Sequence, residues 1–204
     1  MYVAHRWKDR NLTKLELVTS LLLISLLIFY MSQRASVIFA TVEKNNIEYT
    51  ITNINTALRL KSFSYLTRND MKSILDIKTT NPMQLMDNES SEDLIKFYED
   101  YEETGDLIKQ LYSVNPGNYR GEVYASDVNE LEKGFWYFNL SIKKLVYIIK
   151  NDEFINIDLD GPSRLIFSVN INYNDNNKNN IYDYKIDEFY GIKLKSDYSY
   201  EWQI

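Results

Sequence analysis

The chain has 204 residues, with 23 Lys and Arg against 29 Asp and Glu, one histidine and no cysteine. Without cysteine there is no disulfide, no thiol nucleophile and no cysteine-ligated metal site. The single histidine, His5, lies in the basic N-terminal segment, which excludes Ser-His-Asp chemistry and two-histidine metal centres. The net charge of −6 argues against nucleic acid as the main partner, because phosphate binding needs a basic face. The composition therefore favours a protein that is not an enzyme.

A short basic leader and a long apolar run open the chain. Residues 1–11 carry three basic side chains, and residues 15–31 are apolar with few interruptions. As a helix this run rises about 25 Å, near the lower limit for spanning a bilayer. We predict a transmembrane segment over 12–31, with the leader in the cytoplasm by the positive-inside rule. No good small-residue cleavage site follows, which favours a retained anchor over a cleaved secretory signal.

The helical pattern continues beyond the membrane segment. Apolar residues recur there at three- and four-residue steps, namely Ile38, Val42, Ile51, Ile54 and Leu58. The first proline is Pro82, so nothing breaks the helix, although the asparagines near residue 45 allow a bend. The sequence therefore predicts one helix over 12–60, about 70 Å long, with one end in lipid and the other on a soluble domain.

The next region, 61–133, is predicted to mix helix and loop. Asn69 is expected to cap a short helix that runs to Ile77, and Asn81-Pro82 marks a turn. Residues 87–106 hold ten charged side chains, nine of them acidic. We interpret this acidic helix as a solvated face in preference to a partner-binding face.

From 134 to 204 the chain reads as strands. Runs rich in Tyr, Phe, Ile and Val alternate with turn residues, at 135–139, 145–150, 165–173, 182–186, 191–195 and 198–202. Alternation over 165–173 gives that strand one apolar face, which the long helix can cover. The predicted fold class is α+β, with a long N-terminal helix packed on an antiparallel β-sheet.

Glu16 is the most informative residue in the predicted membrane segment. A carboxylate costs about 2–3 kcal/mol at the bilayer centre and less near the interface. On spacing alone, we expect Glu16 to reach the headgroups and to pair with Lys14.

The residues around Glu16 also carry a resemblance. The stretch 11–17, between a basic leader and a long apolar run, resembles the class III signal of type IV pilins and pseudopilins. In that family a prepilin peptidase cuts the leader before an apolar residue, and glutamate is the fifth residue of the mature chain. The resemblance implies a processing site at Asn11 and Leu12 and makes Glu16 the fifth mature residue. The chain departs from the family pattern at Asn11, where glycine is usual, and at Lys14, where an apolar residue is usual. It also lacks the proline of the family's helix and its C-terminal disulfide.

The soluble part adds shorter matches. Segments 81–86, 115–122, 134–139 and 145–147 look like elements of minor pilins of the mannose-sensitive-haemagglutinin type. The alternative for each segment is a turn, or a hairpin with an aromatic cross-strand pair.

The resemblance implies assembly and no catalysis. It indicates a minor pilin or pseudopilin of the bacterial inner membrane, with a periplasmic C-terminal domain, that enters a type IV pilus or a type II secretion pseudopilus. The implied partners are other pilin subunits, the prepilin peptidase and an inner-membrane assembly platform. In the filament, the freed amine of Leu12 on one subunit would pair with Glu16 of a neighbour.

Two alternatives stay open. The first is an unprocessed single-pass periplasmic sensor or adaptor of the inner membrane. The second is a secreted hydrolase that begins near residue 36 or 41 after a cleaved signal, which the lack of cysteine and the single histidine disfavour.

An Asn-rich loop near the C-terminus offers oxygen ligands at alternating positions, as a Ca²⁺ loop does. These candidate ligands are Asp175, Asn177, Asn179 and Asp183. Against the EF-hand pattern, Asn180 stands where glycine is expected and Ile186 where glutamate is expected. A hairpin turn is therefore favoured over a Ca²⁺ site, because asparagine tolerates left-handed backbone geometry.

Overall fold

The computed structural model describes residues 14–86, 116–124, 130–158 and 163–204. In these parts a 54-residue helix packs along one face of a five-stranded, mostly antiparallel sheet. The predicted α+β class, a long N-terminal helix on a β-sheet, is therefore confirmed. The processing site at Asn11 and Leu12 and the acidic segment 87–106 lie outside the described residues.

The first helix, α1, spans Lys14–Thr67 without interruption and is about 80 Å long. The asparagines near residue 45 do not break it. It continues past the predicted end at residue 60, where Tyr65 and Leu66 still pack against the core.

A residue with left-handed backbone geometry joins α1 to the short helix α2, Met71–Asp76. Asn69, which we expected to cap this helix, instead has a φ of 57° and ends the preceding one. Asp70 is the N-cap, and its carboxylate accepts from the Ser73 amide at 3.2 Å. The helix was predicted, but its cap was misplaced by one residue.

The predicted turn at Asn81-Pro82 opens a 3₁₀ helix, Pro82–Met86. Asn81 Oδ1 accepts from the Met83 amide at 3.0 Å, while its Nδ2 donates to Tyr119 Oη at 2.7 Å and to Glu122 Oε1 at 2.9 Å. One buried amide side chain therefore closes the turn and ties it to the sheet.

Five strands form the main sheet in the order β1-β2-β3-β5-β6. A separate two-stranded ladder joins β4 to β7. All pairs are antiparallel except β1 with β2, which run parallel. The strands are β1 Tyr119–Val123, β2 Trp136–Asn139, β3 Lys144–Ile148, β4 Ile155–Ile157, β5 Arg164–Asn174, β6 Glu188–Ser196 and β7 Tyr200–Trp202.

The strand predictions missed β1 and β4 and were wrong about 182–186. That segment is a turn, in which Asp183 O accepts from the Asp187 amide at 2.7 Å. Its aromatic residue, Tyr182, is buried beside Tyr173 and Phe189, with ring centroids 5.3 and 5.9 Å apart. The aromatic content that suggested a strand therefore serves core packing. β1 was missed because Arg120, Gly121 and Glu122 give no strand signal.

The core lies between α1 and the sheet, as the alternation over 165–173 predicted. Buried helix residues, among them Ile47, Ile54 and Leu58, share one cluster with Leu165 and Phe167 of β5. The opposite sheet face is not wholly solvated, since a second cluster of buried residues lies there. It consists of Tyr137, Val146, Ile148 and Ile166, with Val123, Leu131 and Phe135 packed against it.

A second kind of contact fixes α1 to the sheet edge. Asn55 Oδ1 accepts a hydrogen bond of 2.7 Å from the amide of Leu194, in the edge strand β6. Asn55→Ala leaves that amide without its acceptor, so we expect a loss of about 1–2 kcal/mol in the free energy of unfolding. Denaturant unfolding measures this loss, with Asn45→Ala on an exposed helix position as the control. Equal losses in the two variants would contradict the assigned role.

Candidate functional site

The N-terminal part of α1 stands apart from the core. Every residue from 14 to 31 is exposed. Among the described residues, α1 is the one helix long and apolar enough to cross a membrane. An apolar surface of this extent marks contact with lipid or with another apolar surface. Its large exposed side chains include Leu21, Leu22, Leu23, Ile24, Leu26, Leu27, Ile28 and Phe29.

Two hydroxyl groups within this stretch, those of Thr19 and Ser25, donate hydrogen bonds to carbonyls of the helix itself. Thr19 Oγ1 donates to the carbonyls of Leu15 and Glu16, both at 3.0 Å, and Ser25 Oγ donates to the Leu22 carbonyl at 2.8 Å. In hydrocarbon an unpaired polar group is costly. These two side chains therefore do not oppose insertion of the helix into a bilayer.

Basic residues bracket the apolar stretch. Lys14 and Arg34 are about 20 residues apart, which is about 30 Å along a helix and matches the hydrocarbon thickness of a bilayer. The Arg34 guanidinium lies 5.6 Å from the centre of the Tyr30 ring. Tyrosine and arginine are both typical of the membrane interface.

Glu16 lies in the first turn of the described helix, two residues after Lys14, and is exposed. A carboxylate in the first turn of a helix is favoured by the helix dipole. Its position places it at the end of the apolar stretch instead of its centre. Pairing between Glu16 and the amine of Leu12 stays a prediction, because Leu12 and Asn11 lie outside the described residues.

A buried carboxylate holds the other part of α1 to the sheet. Glu43 is only 7% exposed. Its Oε1 accepts from Tyr147 Oη and from the Lys150 amide, both at 2.8 Å. Its Oε2 accepts from the Asn151 amide at 2.9 Å and from Asn151 Nδ2 at 2.6 Å. We call Glu43 with Tyr147, Lys150 and Asn151 the Glu43 joint.

The carboxylate charge of Glu43 is stabilised by hydrogen-bond donors and not by an opposite charge. In the described part of the chain, no Lys, Arg or His forms an ion pair with Glu43. Four donors occupy the roughly four acceptor positions of a carboxylate, which offsets much of the cost of its burial. Sequence reasoning missed this residue. Its position in the sequence could have indicated burial, because Glu43 lies on the same face of the helix as the buried Ile47 and Ile54.

The Glu43 joint also affects Tyr147. Burial, and then the neighbouring Glu43 charge, raises the pKa of the Tyr147 hydroxyl well above its usual value. The unfolded chain loses this proton near pH 10, whereas the folded chain keeps it. The contribution of this raised pKa to the free energy of unfolding is therefore fully present below pH about 10. It is lost as the pH rises above that value.

We expect the unfolding free energy to fall above pH about 10, and to fall less steeply in Tyr147→Phe. Denaturant unfolding from neutral to alkaline pH measures both slopes. Tyr124→Phe is the matched control, because that ring is 79% exposed. An unchanged slope in Tyr147→Phe would show that other groups cause the alkaline loss.

The predicted Ca²⁺ ligands lie together in the loop between β5 and β6, but their oxygens accept backbone hydrogen bonds. Asp175 accepts from the amides of Asn179 and Asn180, at 3.2 and 2.7 Å. Asn177, Asn179 and Asp183 each accept from the amide two residues later. The predicted left-handed geometry is present, with φ values of 58° at Lys178 and 60° at Asn180.

A metal ion in this loop would compete with those backbone amides. Among the described residues, no group of three or more acidic, histidine or cysteine side chains is placed to hold a metal. Ca²⁺ binding by Asp175, Asn177, Asn179 and Asp183 stays a prediction. The geometry gives each oxygen a structural role in closing the loop.

Comparison with known proteins gives no relative: no family model, curated protein or solved structure matches the chain. The structure itself establishes a long helix whose N-terminal part is apolar and exposed and whose C-terminal part is packed on a β-sheet. The features that can carry a function are therefore the exposed apolar part of α1, its packed part and the residues at their ends.

Proposed function

We propose that this chain is a pilin-like subunit that assembles, without catalysis, through its N-terminal helix. The observation that carries the proposal is the division of a single continuous helix. Its first part exposes apolar side chains on every side, and its second part is built into the core of a soluble domain. Such a helix can serve as a membrane anchor and then as the packed centre of a filament.

The chemistry of Glu16 supports this mechanism. A carboxylate at the end of a membrane segment is unfavourable alone but gains a charge-assisted hydrogen bond when a neighbouring amine approaches. Cleavage between Asn11 and Leu12 would create that amine. The same charge that disfavours Glu16 in lipid would then favour one register between subunits.

The proposed setting is a bacterial inner membrane, with the N-terminus in the cytoplasm and the sheet domain in the periplasm. The proposed partners are other pilin subunits, the prepilin peptidase and the assembly platform of a type IV pilus or a type II secretion pseudopilus. A minor subunit is favoured over the bulk one because of Asn11 at the cut and the acidic segment 87–106.

A second candidate has one specific observation in its favour. Asn11 stands where the pilin signal has a small residue, and this favours an anchor that is never cut. The chain would then be a single-pass periplasmic sensor or adaptor. The described geometry fits both candidates, since both need a membrane-spanning helix fixed to a soluble domain.

The intact mass of the protein, purified from membranes of cells with a prepilin peptidase, separates the two candidates. We expect a chain that begins at Leu12, and a full-length chain from otherwise identical cells without the peptidase. Asn11→Gly is the matched variant, because it restores the usual residue at the cut. Residues 1–11 retained in both the natural chain and Asn11→Gly would overturn the pilin proposal and leave the adaptor.

A further inference from the structure

A face of α1 beyond the Glu43 joint lines a cavity of about 310 Å³. This volume is within the range of small-molecule sites in proteins. The helix residues that line the cavity are three or four positions apart and so share one face of α1; they are Asn46, Tyr49, Thr50 and Asn53. The other lining residues are Met86 and residues 116–118, which lead into β1.

Asn53 is a buried polar residue whose side chain has no partner in the described part of the chain. It is 8% exposed, and no hydrogen bond joins its amide group to a described residue. In contrast, Asn55 on the same helix accepts from the Leu194 amide at 2.7 Å. The Asn53 amide is not fully enclosed, since the one fully enclosed side-chain atom without a partner among the described residues is Trp136 Nε1. Buried polar groups are almost always hydrogen-bonded, so the Asn53 amide is available to a ligand in the cavity that it lines.

The opposite wall of the cavity is held in place by the sheet. Asn118 Nδ2 donates to the Gly134 carbonyl at 3.0 Å, and the Asn118 carbonyl accepts from the Trp136 amide at 2.9 Å. Gly117 leaves this wall open, because a Cβ atom added there would meet no atom within 4 Å. A ligand can therefore approach the backbone of this turn without moving it.

The described lining of the cavity is uncharged. None of its residues is Asp, Glu, Lys, Arg or His. A phosphate, a carboxylate or a metal ion would find no counter-charge there, and burying an unpaired charge is costly. Asparagine side chains offer both donors and acceptors, and Tyr49, which is 56% exposed, adds an aromatic ring. This lining fits a neutral ligand that has several hydroxyl or amide groups and one apolar face.

We propose that the cavity binds an N-acetylhexosamine unit of a glycan. The acetamido group of such a sugar has one N–H donor, one carbonyl acceptor and one methyl group. The Asn53 amide would bond to the donor and the acceptor, while Met86 and Pro116 would contact the methyl group. The Tyr49 ring would contact the apolar C–H face of the sugar ring. This binding goes beyond the proposed assembly of the chain and does not depend on it.

A saturation-transfer difference NMR titration of the full chain in phospholipid nanodiscs tests the proposal. The probe is chitotriose, a trimer of β1,4-linked N-acetylglucosamine. The matched sugar is cellotriose, which has the same rings and linkage without the acetamido groups. We expect chitotriose to bind about ten-fold or more tightly than cellotriose, with strong transfer to its acetyl methyl protons. No binding of chitotriose, or equal affinity for both sugars, would overturn the proposal.

Variants of the chain locate the binding site. Tyr49→Ala and Asn53→Leu should each weaken chitotriose binding about ten-fold or more. Tyr190→Ala is the matched tyrosine control, because that ring is 64% exposed and lies in β6, at the other edge of the sheet. Asn45→Leu, at an exposed position of α1, is the matched asparagine control. Unchanged affinity in both Tyr49→Ala and Asn53→Leu would place the binding outside this cavity and overturn the assignment.

The stability of Asn53→Leu without sugar is an independent measurement. An amide without a partner adds no hydrogen bond to the fold, so an apolar side chain of similar size should leave the denaturant midpoint unchanged or raise it. A midpoint lowered as far as in Asn55→Ala would show that Asn53 has a structural partner and would overturn its role in binding. Neither measurement involves filament assembly or cleavage after Asn11, so a failure here would leave the proposed function intact.

Discussion

Glu43→Ala should lower the free energy of unfolding by about 3 kcal/mol. The substitution removes the acceptor of four hydrogen bonds and leaves Tyr147 Oη and the amides of Lys150 and Asn151 without partners. Each buried donor without an acceptor costs about 1–3 kcal/mol, offset in part by water that enters the space left by the glutamate side chain. Denaturant unfolding of the full chain in detergent measures the loss, with the fluorescence of the buried Trp136 as the signal.

Two variants separate the hydrogen bonds of the Glu43 joint from general effects of mutating α1. Glu43→Gln keeps one acceptor oxygen but turns the other atom into a donor, so about half the loss is expected. Glu48→Ala changes an exposed glutamate of the same helix and should stay within about 0.5 kcal/mol of the natural chain. A Glu43→Ala chain as stable as Glu48→Ala would show that the joint contributes nothing.

Glu16→Leu should reduce filament assembly at least about ten-fold, if the pilin proposal holds, because a charge-assisted hydrogen bond between subunits is lost. The variant should still enter the membrane, since removing a carboxylate favours insertion by up to about 2–3 kcal/mol. The measurement is the yield of sheared filaments relative to the amount of subunit in the membrane. This ratio separates a defect in assembly from a defect in insertion.

The matched controls for Glu16 lie in the same helix. Ser25→Ala removes a hydroxyl that, in the described part of the chain, donates to the Leu22 carbonyl of its own helix at 2.8 Å, so assembly should be unaffected. Glu16→Gln keeps an acceptor without the charge, and an intermediate yield is expected. Normal filament yield with Glu16→Leu would remove the main physical argument for assembly and favour the adaptor.

Periodic apolar patterns predicted the elements that bury a continuous face. The alternation over 165–173 gave β5 and its apolar side, and the absence of Pro and Gly before Pro82 gave one long helix. The errors fall where packing or side-chain hydrogen bonds override local composition. Tyr182 suggested a strand, but it is buried in a turn. Gly121 weakened the strand signal of the edge strand β1, which pairs parallel with β2.

The candidate site was likewise predictable from the sequence only in part. The membrane-capable segment and the position of Glu16 at its end could be predicted from hydropathy and charge. The Glu43 joint was not predicted, because its partners Tyr147 and Asn151 are more than 100 residues away along the chain. Three of its four hydrogen bonds come from Lys150 and Asn151, whose composition gives no sign of where the turn will place them.

The unbroken course of α1 has a mechanical consequence. Because no described residue between the apolar end and the core interrupts the helix, tension on the sheet domain is transmitted along the helix axis instead of being absorbed at a hinge. The Glu43 joint and the Asn55–Leu194 bond both join this helix to the sheet domain, so both would carry part of that tension. If the apolar end of α1 is anchored in lipid as proposed, force on the sheet domain would therefore reach that end without bending the helix.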